Sequence, residues 1–279
     1  MTQAKGRLAA LLALVAAALL ACTALALAAC SSGESGQPEN GTLRVGVRAD
    51  IVGFGYLNED TGKYYGLEID IAKELGKRLG YKDVEFTTVT PDDRKEMLLD
   101  GKVDALIACY SISDTRLKNF DFSPAYYTDE SVVMVENSSM IDGIDDLKGK
   151  TFGAMSGSNT APQLAIRLAE TGFSSGQIVS GEEGGDDVAY DTFRLVQLPS
   201  YQALSDALEE GTIDAACMDG AIAHTYMNDD RSTLSDFSIY TQDYGVATQK
   251  GSALSQPVAD AVQSMLDDGS IAALIDKWN

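Results

Sequence analysis

The sequence predicts an α/β fold of two similar lobes, each a doubly wound sheet, joined by two crossings of the chain. Three observations carry this. Short apolar runs bounded by glycines alternate with helical stripes along most of the chain, which is the pattern of strand–helix–strand units and parallel sheets. Leu98-Leu99-Asp100-Gly101-Lys102-Val103-Asp104-Ala105 is matched in type, position by position, by Leu208-Glu209-Glu210-Gly211-Thr212-Ile213-Asp214-Ala215. Helix, glycine stop and apolar-Asp-Ala strand thus occur twice. Finally, Ser131–Val135 and Ser238–Thr248 read as strands that leave the first lobe and return to it, a pair that bends without sliding. An exit near Asp129 and a return near Tyr244 divide the chain into lobe 1 (42–129 plus 245–279) and lobe 2 (130–244).

The elements follow in order. Leu43–Val47 is the first strand, and Phe54–Tyr56 with Tyr64–Tyr65 a short hairpin among glycines. A helix starts after Gly66 with Glu68 and Asp70 in its first turn, where acids favour the helix dipole, and its stripe is Ile71, Ala72, Leu75 and Leu79 before Gly80. Val84–Val89 is the second strand. Thr90-Pro91-Asp92-Asp93 reads as N-cap, proline at the first helical position and two first-turn acids. Val103–Ala108 is the third strand and Asp121-Phe122-Ser123-Pro124 a turn. In the second lobe Thr151–Met155, Phe193–Leu198 and Ile213–Met218 are strands, with helices after Gly157-Ser158-Asn159-Thr160 and after the cap Ser200. Phe173–Asp191, rich in Gly, Ser, Glu and Asp, reads as a long exposed loop. Pro257 opens the penultimate helix.

The charge balance narrows the function. Lys+Arg is 21 against Asp+Glu 42, a formal net charge of −21 over 279 residues, which excludes nucleic acid and an anionic membrane surface as partners. Lys5 and Arg7 precede an apolar Ala/Leu run, Leu8–Ala29, and small residues lead into Cys30. Leu27-Ala28-Ala29-Cys30 resembles the lipobox of bacterial lipoproteins, which implies a signal peptide over 1–29, a lipid-acylated Cys30 and a flexible tether over 30–41. The alternative is an uncleaved anchor, the run being long enough to span a membrane; Cys22 is a lesser acylation candidate. Either places the folded part outside the cytoplasm, tethered to the cell membrane. Cys109 and Cys217 fall in separate lobes and read as two buried thiols rather than a disulfide.

Ligands of open α/β sheets bind beyond the carboxyl ends of the strands. After the first strand come Arg48 and Asp50; after the second, Thr90 and Arg94; after the third, Cys109, Ser111 and Arg116. In the second lobe Ser156–Thr160, with Gly157, Ser158 and Asn159, opens a helix whose free N–H groups suit an anion, and Asp219 follows the last strand. Three arginines with a single facing carboxylate, Asp219, fit a zwitterion with an extra negative charge: an α-carboxylate on Arg116 and Ser111, an α-ammonium on Asp219, a side-chain carboxylate on Arg48 or Arg94. The plainer alternatives are that Arg48 and Arg94 are surface charges beside Asp50 and Asp93, and that Ser158, Asn159 and Asp219 are turn residues. His224 has no sequence-near nucleophile or metal-type partner, and no metal or cofactor motif is present.

Gly66-Leu67-Glu68-Ile69-Asp70-Ile71-Ala72, Ser111-Ile112-Ser113-Asp114-Thr115-Arg116, and Asp121-Phe122-Ser123 with Tyr126-Tyr127 resemble the family 3 solute-binding proteins of amino-acid ABC transporters, in order over about residues 42 to 279. The resemblance implies a periplasmic-binding-protein-like (type II) clamshell that closes on an amino acid and is a monomer, with an ABC permease and its ATPase as partners. It assigns the α-carboxylate to Arg116 and Ser111, the α-ammonium to Asp219, and closure over the carboxylate to Gly157–Asn159. Arg48 and Arg94 stand where the glutamate/aspartate branch places side-chain-binding arginines, so glutamate or aspartate is the first expectation and glutamine the next. Ile51-Val52-Gly53-Phe54 departs from the family's aromatic followed by Pro-Phe, which weakens a cationic or aromatic ligand. Two other readings stay open: a sensor receptor without transport, and a cyclohexadienyl dehydratase-like enzyme on the same scaffold.

Overall fold

The computed structural model describes residues 41–278. The basic start, the apolar run, Cys30 and the tether up to Asn40 lie outside the described residues. Among those described, no helix is long and apolar enough to cross a membrane.

Two sheets make up the two lobes. The first contains β1 (Thr42–Val47), β5 (Asp83–Thr88), β6 (Ala105–Ile107), β7 (Phe120–Phe122) and β15 (Ala247–Gln249) in the order β5-β1-β6-β15-β7. β1 runs parallel to both β5 and β6, with Val45 beside Phe86 and Ala105, while β15 is antiparallel to its neighbours. A small sheet of β2 (Asp50–Ile51), β3 (Gly55–Asn58) and β4 (Lys63–Tyr65) follows the first strand. Its helices are α1 (Leu67–Arg78), α2 (Arg94–Leu99), α6 (Ser255–Asp267) and α7 (Ser270–Trp278). The stripe of α1 is buried; Lys77 and Arg78 in its last turn answer the acids in its first, and Gly80 at φ 78 ends it.

The second sheet has seven strands in the order β10-β11-β12-β9-β13-β8-β14. These are β8 (Tyr127–Glu136), β9 (Thr151–Met155), β10 (Ile178–Ser180), β11 (Asp187–Tyr190), β12 (Arg194–Leu198), β13 (Ala215–Asp219) and β14 (Arg231–Tyr244). The central three, β12, β9 and β13, are parallel, with α3 (Thr160–Glu170), α4 (Tyr201–Glu209) and α5 (Gly220–Tyr226) after β9, β12 and β13. β8 and β14 pair antiparallel from Tyr127↔Tyr244 to Glu136↔Arg231. They are the two crossing strands, and a Ser111↔Tyr244 bridge ties the end of β14 back to the first lobe.

Both sheets bury both faces. Ala105 and Ile107 face one core cluster and Leu106 and Ala108 another; Ala216 and Met218 likewise alternate with Ala215 and Cys217, as a period of two requires. The first of these clusters is continuous between the lobes through Cys109, Tyr126, Tyr201, Met218 and Tyr244. The sequence echo has a structural meaning. Asp104 accepts the Arg44 amide at 2.9 Å and Asp214 accepts the Thr151 amide at 2.8 Å, so each aspartate locks its strand to the parallel neighbour. Cys109 and Cys217 are free and buried.

Thr90 and Asp93 exchange hydrogen bonds of 2.7 and 3.3 Å in the manner of a capping box and the Arg94 amide donates to the Thr90 carbonyl at 3.0 Å, so Thr90 starts the turn that leads into α2 at Arg94. Three local expectations are corrected. Residues 173–191 are not all loop, because β10 and β11 add an antiparallel edge to the second sheet. Asp121 and Phe122 belong to β7, paired with β15. The returning strand also starts earlier, at Arg231, and Gly245-Val246 separates it from β15.

Candidate functional site

Three arginines gather at the carboxyl edge of the first sheet, and they are not equivalent. Arg94 sits at the start of α2 with 4% of its surface exposed, and its Nη1 donates to the Ala108 carbonyl at 2.8 Å. Arg116 donates Nη1 to the Ser111 carbonyl at 2.9 Å. Both guanidinium carbons lie over the Tyr110 ring, 4.5 and 4.3 Å from its centroid, a favourable cation–π placement. Among the described residues neither arginine has a carboxylate within ion-pair distance. Burial lowers the pKa of Arg94 to about 10, with the charges of Arg116 and Arg48 adding to the effect; burial also lowers that of Arg116. A protein with twice as many acids as bases thus leaves, among the described residues, one buried and one half-buried arginine without a carboxylate partner. Such a site attracts an anion.

Arg48 is already paired. It is 2% exposed, it holds Asp50 through Nε at 2.9 Å and Nη2 at 2.6 Å, and its guanidinium carbon is 5.4 Å from the centre of the Tyr201 ring on α4. Burial is the largest influence and works to lower its pKa, but the charge and hydrogen bonds of Asp50, with Tyr201 and Cys109, together leave it raised. A cavity of about 280 Å³ opens beside the other two arginines, lined by Lys95, Tyr110, Thr115, Asn119 and, from the second lobe, Gly157.

An acidic cluster forms where β13 meets the crossing strands. Asp219, 6% exposed, ends β13; its Oδ1 accepts the Ser131 hydroxyl at 2.6 Å and its Oδ2 lies 2.8 Å from the Tyr244 hydroxyl. The same hydroxyl is 2.9 Å from Asp129 Oδ2. One phenolic proton therefore stands between two carboxylates. Asp129 also accepts the backbone N–H groups of Glu130 at 2.8 Å and Ala221 at 3.1 Å. Burial, and then the charge of Asp219, raise the Asp129 pKa to about 6.

Gln242 on β14 connects this cluster with Ser111. Its Oε1 accepts from Ser111 and, at 2.6 Å, from Tyr240, while its Nε2 donates to Ser131 Oγ at 3.2 Å. A continuous hydrogen-bonded path thus runs from Ser111 through Gln242 and Ser131 to Asp219.

The second-lobe loop completes the geometry. Gly157, at φ 70, lies so close to the first lobe that an added Cβ would be 2.4 Å from Asp92 Oδ1 and 2.9 Å from the Pro91 carbonyl carbon. Ser156 donates to Asp92 at 3.3 Å. Ser158 Oγ is engaged locally, donating to the Met155 carbonyl at 2.7 Å, and Asn159 precedes α3 without a side-chain capping bond. The lobes are closed on each other here.

Of the residues named from sequence, Arg94, Arg116 and Gly157 line one cavity. Ser111 and Asp219 lie on one hydrogen-bonded path, Arg48 and Asp50 pair with each other, and Cys109 packs into the core. Sequence reading missed Tyr110, Asp129, Tyr201, Gln242 and Tyr244. The signal available for Asp129 and Gln242 was their place on the two crossing strands, one opposite the other in register.

Comparison with known proteins adds the lineage. The family described as "Bacterial extracellular solute-binding proteins, family 3" matches residues 43–279. The chain is 27% identical to the ABC transporter glutamine-binding protein GlnH of Bacillus subtilis over 86% of this chain and 82% of that protein. It is 32% identical to the L-cystine-binding protein TcyJ of Escherichia coli, over 86% and 83%. Among solved structures it resembles an ancestral arginine-binding protein bound to arginine, with a TM-score of 0.69 and 29% identity over 85% of this chain and 98% of that one. The two-lobed type II clamshell is therefore the fold of this chain.

Proposed function

We propose that this chain, which belongs to the bacterial extracellular solute-binding proteins of family 3, is the amino-acid receptor of an ABC importer and takes an acidic amino acid, glutamate or aspartate, with glutamine next. It is a binding protein and not an enzyme, held outside the cytoplasm by a lipid on Cys30 and delivering its ligand to a permease and ATPase. The observation that carries the ligand class is the pair of arginines over one tyrosine ring, Arg94 buried and Arg116 half-buried, without a carboxylate partner among the described residues.

In this reading Arg116 takes the α-carboxylate. One N–H of its fork is given to the Ser111 carbonyl, and the others remain for bidentate contact. Ser111, whose hydroxyl rests on Gln242, turns to add a third donor. Asp219 takes the α-ammonium. Arg94, mounted on the Ala108 carbonyl, takes the side-chain carboxylate. Arg48 acts at one remove, since Asp50 neutralises it. Ligand reaches the first lobe, and closure then adds Gly157–Asn159 and Asp219 from the second; contacts made to both lobes at once are what favour the closed state.

The relatives bind chemically different amino acids by name, glutamine, cystine and arginine among them, so the choice rests on this chain's own residues. A cationic ligand side chain would have to approach Arg94, which is unfavourable. Isothermal titration of refolded, ligand-free protein tests the assignment: saturable binding of glutamate or aspartate is expected. No binding of glutamate, aspartate or glutamine at millimolar concentration would refute it.

A further inference from the structure

Cys109 and Met140 are the two non-glycine residues among those described with a left-handed backbone. Met140 is an exposed residue beside a turn. Cys109, at φ 45, is buried and lies between the two carbonyls that carry the arginines, Ala108 for Arg94 and Ser111 for Arg116. An L-residue enters this region only when its surroundings compel it.

The compelling group is Glu68. It lies in the first turn of α1 and is completely buried. Its Oε1 accepts the Cys109 amide at 2.6 Å and also the Tyr126 hydroxyl. Its Oε2 has no hydrogen-bond partner. A buried carboxyl with one idle oxygen is costly, and helix capping does not account for it, because α1 begins at Gly66 without a side-chain cap bond. Burial raises its pKa, with Tyr126 and Cys109 opposing. Only the contacts of Oε1 give the group a use.

We propose that Glu68 is a positioning residue of the clamp: it pins the Cys109 amide, and the left-handed turn so held sets the two carbonyls on which Arg94 and Arg116 are mounted. The inference rests on the reading that these arginines hold the ligand, and it explains how a side chain outside the cavity governs both.

The experiment compares Glu68→Ala, Glu68→Gln and the double variant Glu68→Ala/Cys109→Gly. Glutamate affinity is measured by calorimetry, and the Nε–Hε resonances of Arg94 and Arg116 are followed by NMR without ligand. Glu68→Ala is expected to weaken binding about tenfold, the loss typical of one buried hydrogen bond, and to shift both resonances. Glu68→Gln, which keeps an acceptor oxygen, stays within about threefold of the parent, less than the loss of such a bond. Glycine adopts the left-handed region without strain, so the double variant recovers most of the affinity and both resonances. Unmoved resonances in Glu68→Ala, or an equal loss in both backgrounds, would overturn the proposal. If Glu68→Ala folds only together with Cys109→Gly, that rescue supports it. If neither folds, Glu68→Asp, whose carboxyl is too short to reach the amide from the same backbone, must shift both resonances or the proposal fails. Should the parent bind no amino acid, the functional reading falls, while the arginine resonances still decide the role of Glu68.

Discussion

Arg94 and Arg116 lie over the same tyrosine ring and each gives one N–H to a backbone carbonyl, yet they face different tests. Replacing Arg116 by alanine removes a bidentate, charge-assisted contact. An affinity loss of about 3 kcal/mol, or roughly a hundredfold, is expected for every amino acid bound, measured by calorimetry. Arg94→Gln is selective instead: it is expected to cost glutamate at least about tenfold and glutamine far less, because a charged hydrogen bond becomes a neutral one. An equal loss for both ligands would show that Arg94 does not meet the side chain. The placing of Arg116 and Asp219 beyond strand ends was legible from sequence because the alternation of strands and helices fixes where the strands end. Tyr110 was not, since a tyrosine beside an apolar run looks like core, and nothing local shows that it underlies two guanidiniums. Asp50 forms a bidentate pair with Arg48, a geometry that spacing of two residues does not reveal.

The crossing strands β8 and β14 do more than connect, since they carry Asp129, Gln242 and Tyr244 of the hydrogen-bonded network around Asp219. Asp129 has its pKa raised from 3.8 to about 6 by burial and by Asp219. The native carboxyl therefore takes up its proton before the unfolded one does. Ligand-free protein is expected to gain stability as pH falls from about 6 towards 4, and to lose that gain as pH rises through 6; thermal unfolding across this range checks it. An ammonium on Asp219 competes with that proton, so ligand affinity should be full above pH 6 and fall below it, by at most about tenfold per pH unit. Asp129→Asn should flatten the profile, and an unchanged profile in that variant would exclude Asp129 as the source. The strands themselves could be read from apolar runs, but the shared register of Gln242 and Asp129 could not. The edge hairpin β10–β11 escaped for a different reason. Its exposed strands bury little, so the Gly- and acid-rich composition hides the pairing that backbone hydrogen bonds supply.

Across the whole molecule, the proposed function depends on closure of the lobes, and Gly157 is a point where they approach closely. Gly157→Ala puts a methyl group against the backbone of Pro91 and a side chain into a left-handed conformation. Ligand affinity is expected to fall at least about tenfold, mainly through faster release, in stopped-flow displacement. An unchanged release rate would mean that this loop does not latch the closed form. The two-lobe plan was legible because the repeated helix–glycine–Asp-Ala motif marks equivalent strands locked by Asp104 and Asp214. The continuous core between the lobes was not, because Cys109, Tyr201 and Met218 each look like ordinary interior residues of one lobe. In the proposed function the buried Arg94, the half-buried Arg116 and Asp219 form a clamp for an acidic amino acid. Calorimetric titration of refolded, ligand-free protein with glutamate and aspartate, beside Arg116→Ala, decides it. One saturable site in the parent, abolished or weakened about a hundredfold in the variant as loss of a charged bidentate pair requires, is the predicted result; no heat of binding from glutamate, aspartate or glutamine at millimolar concentration would contradict it.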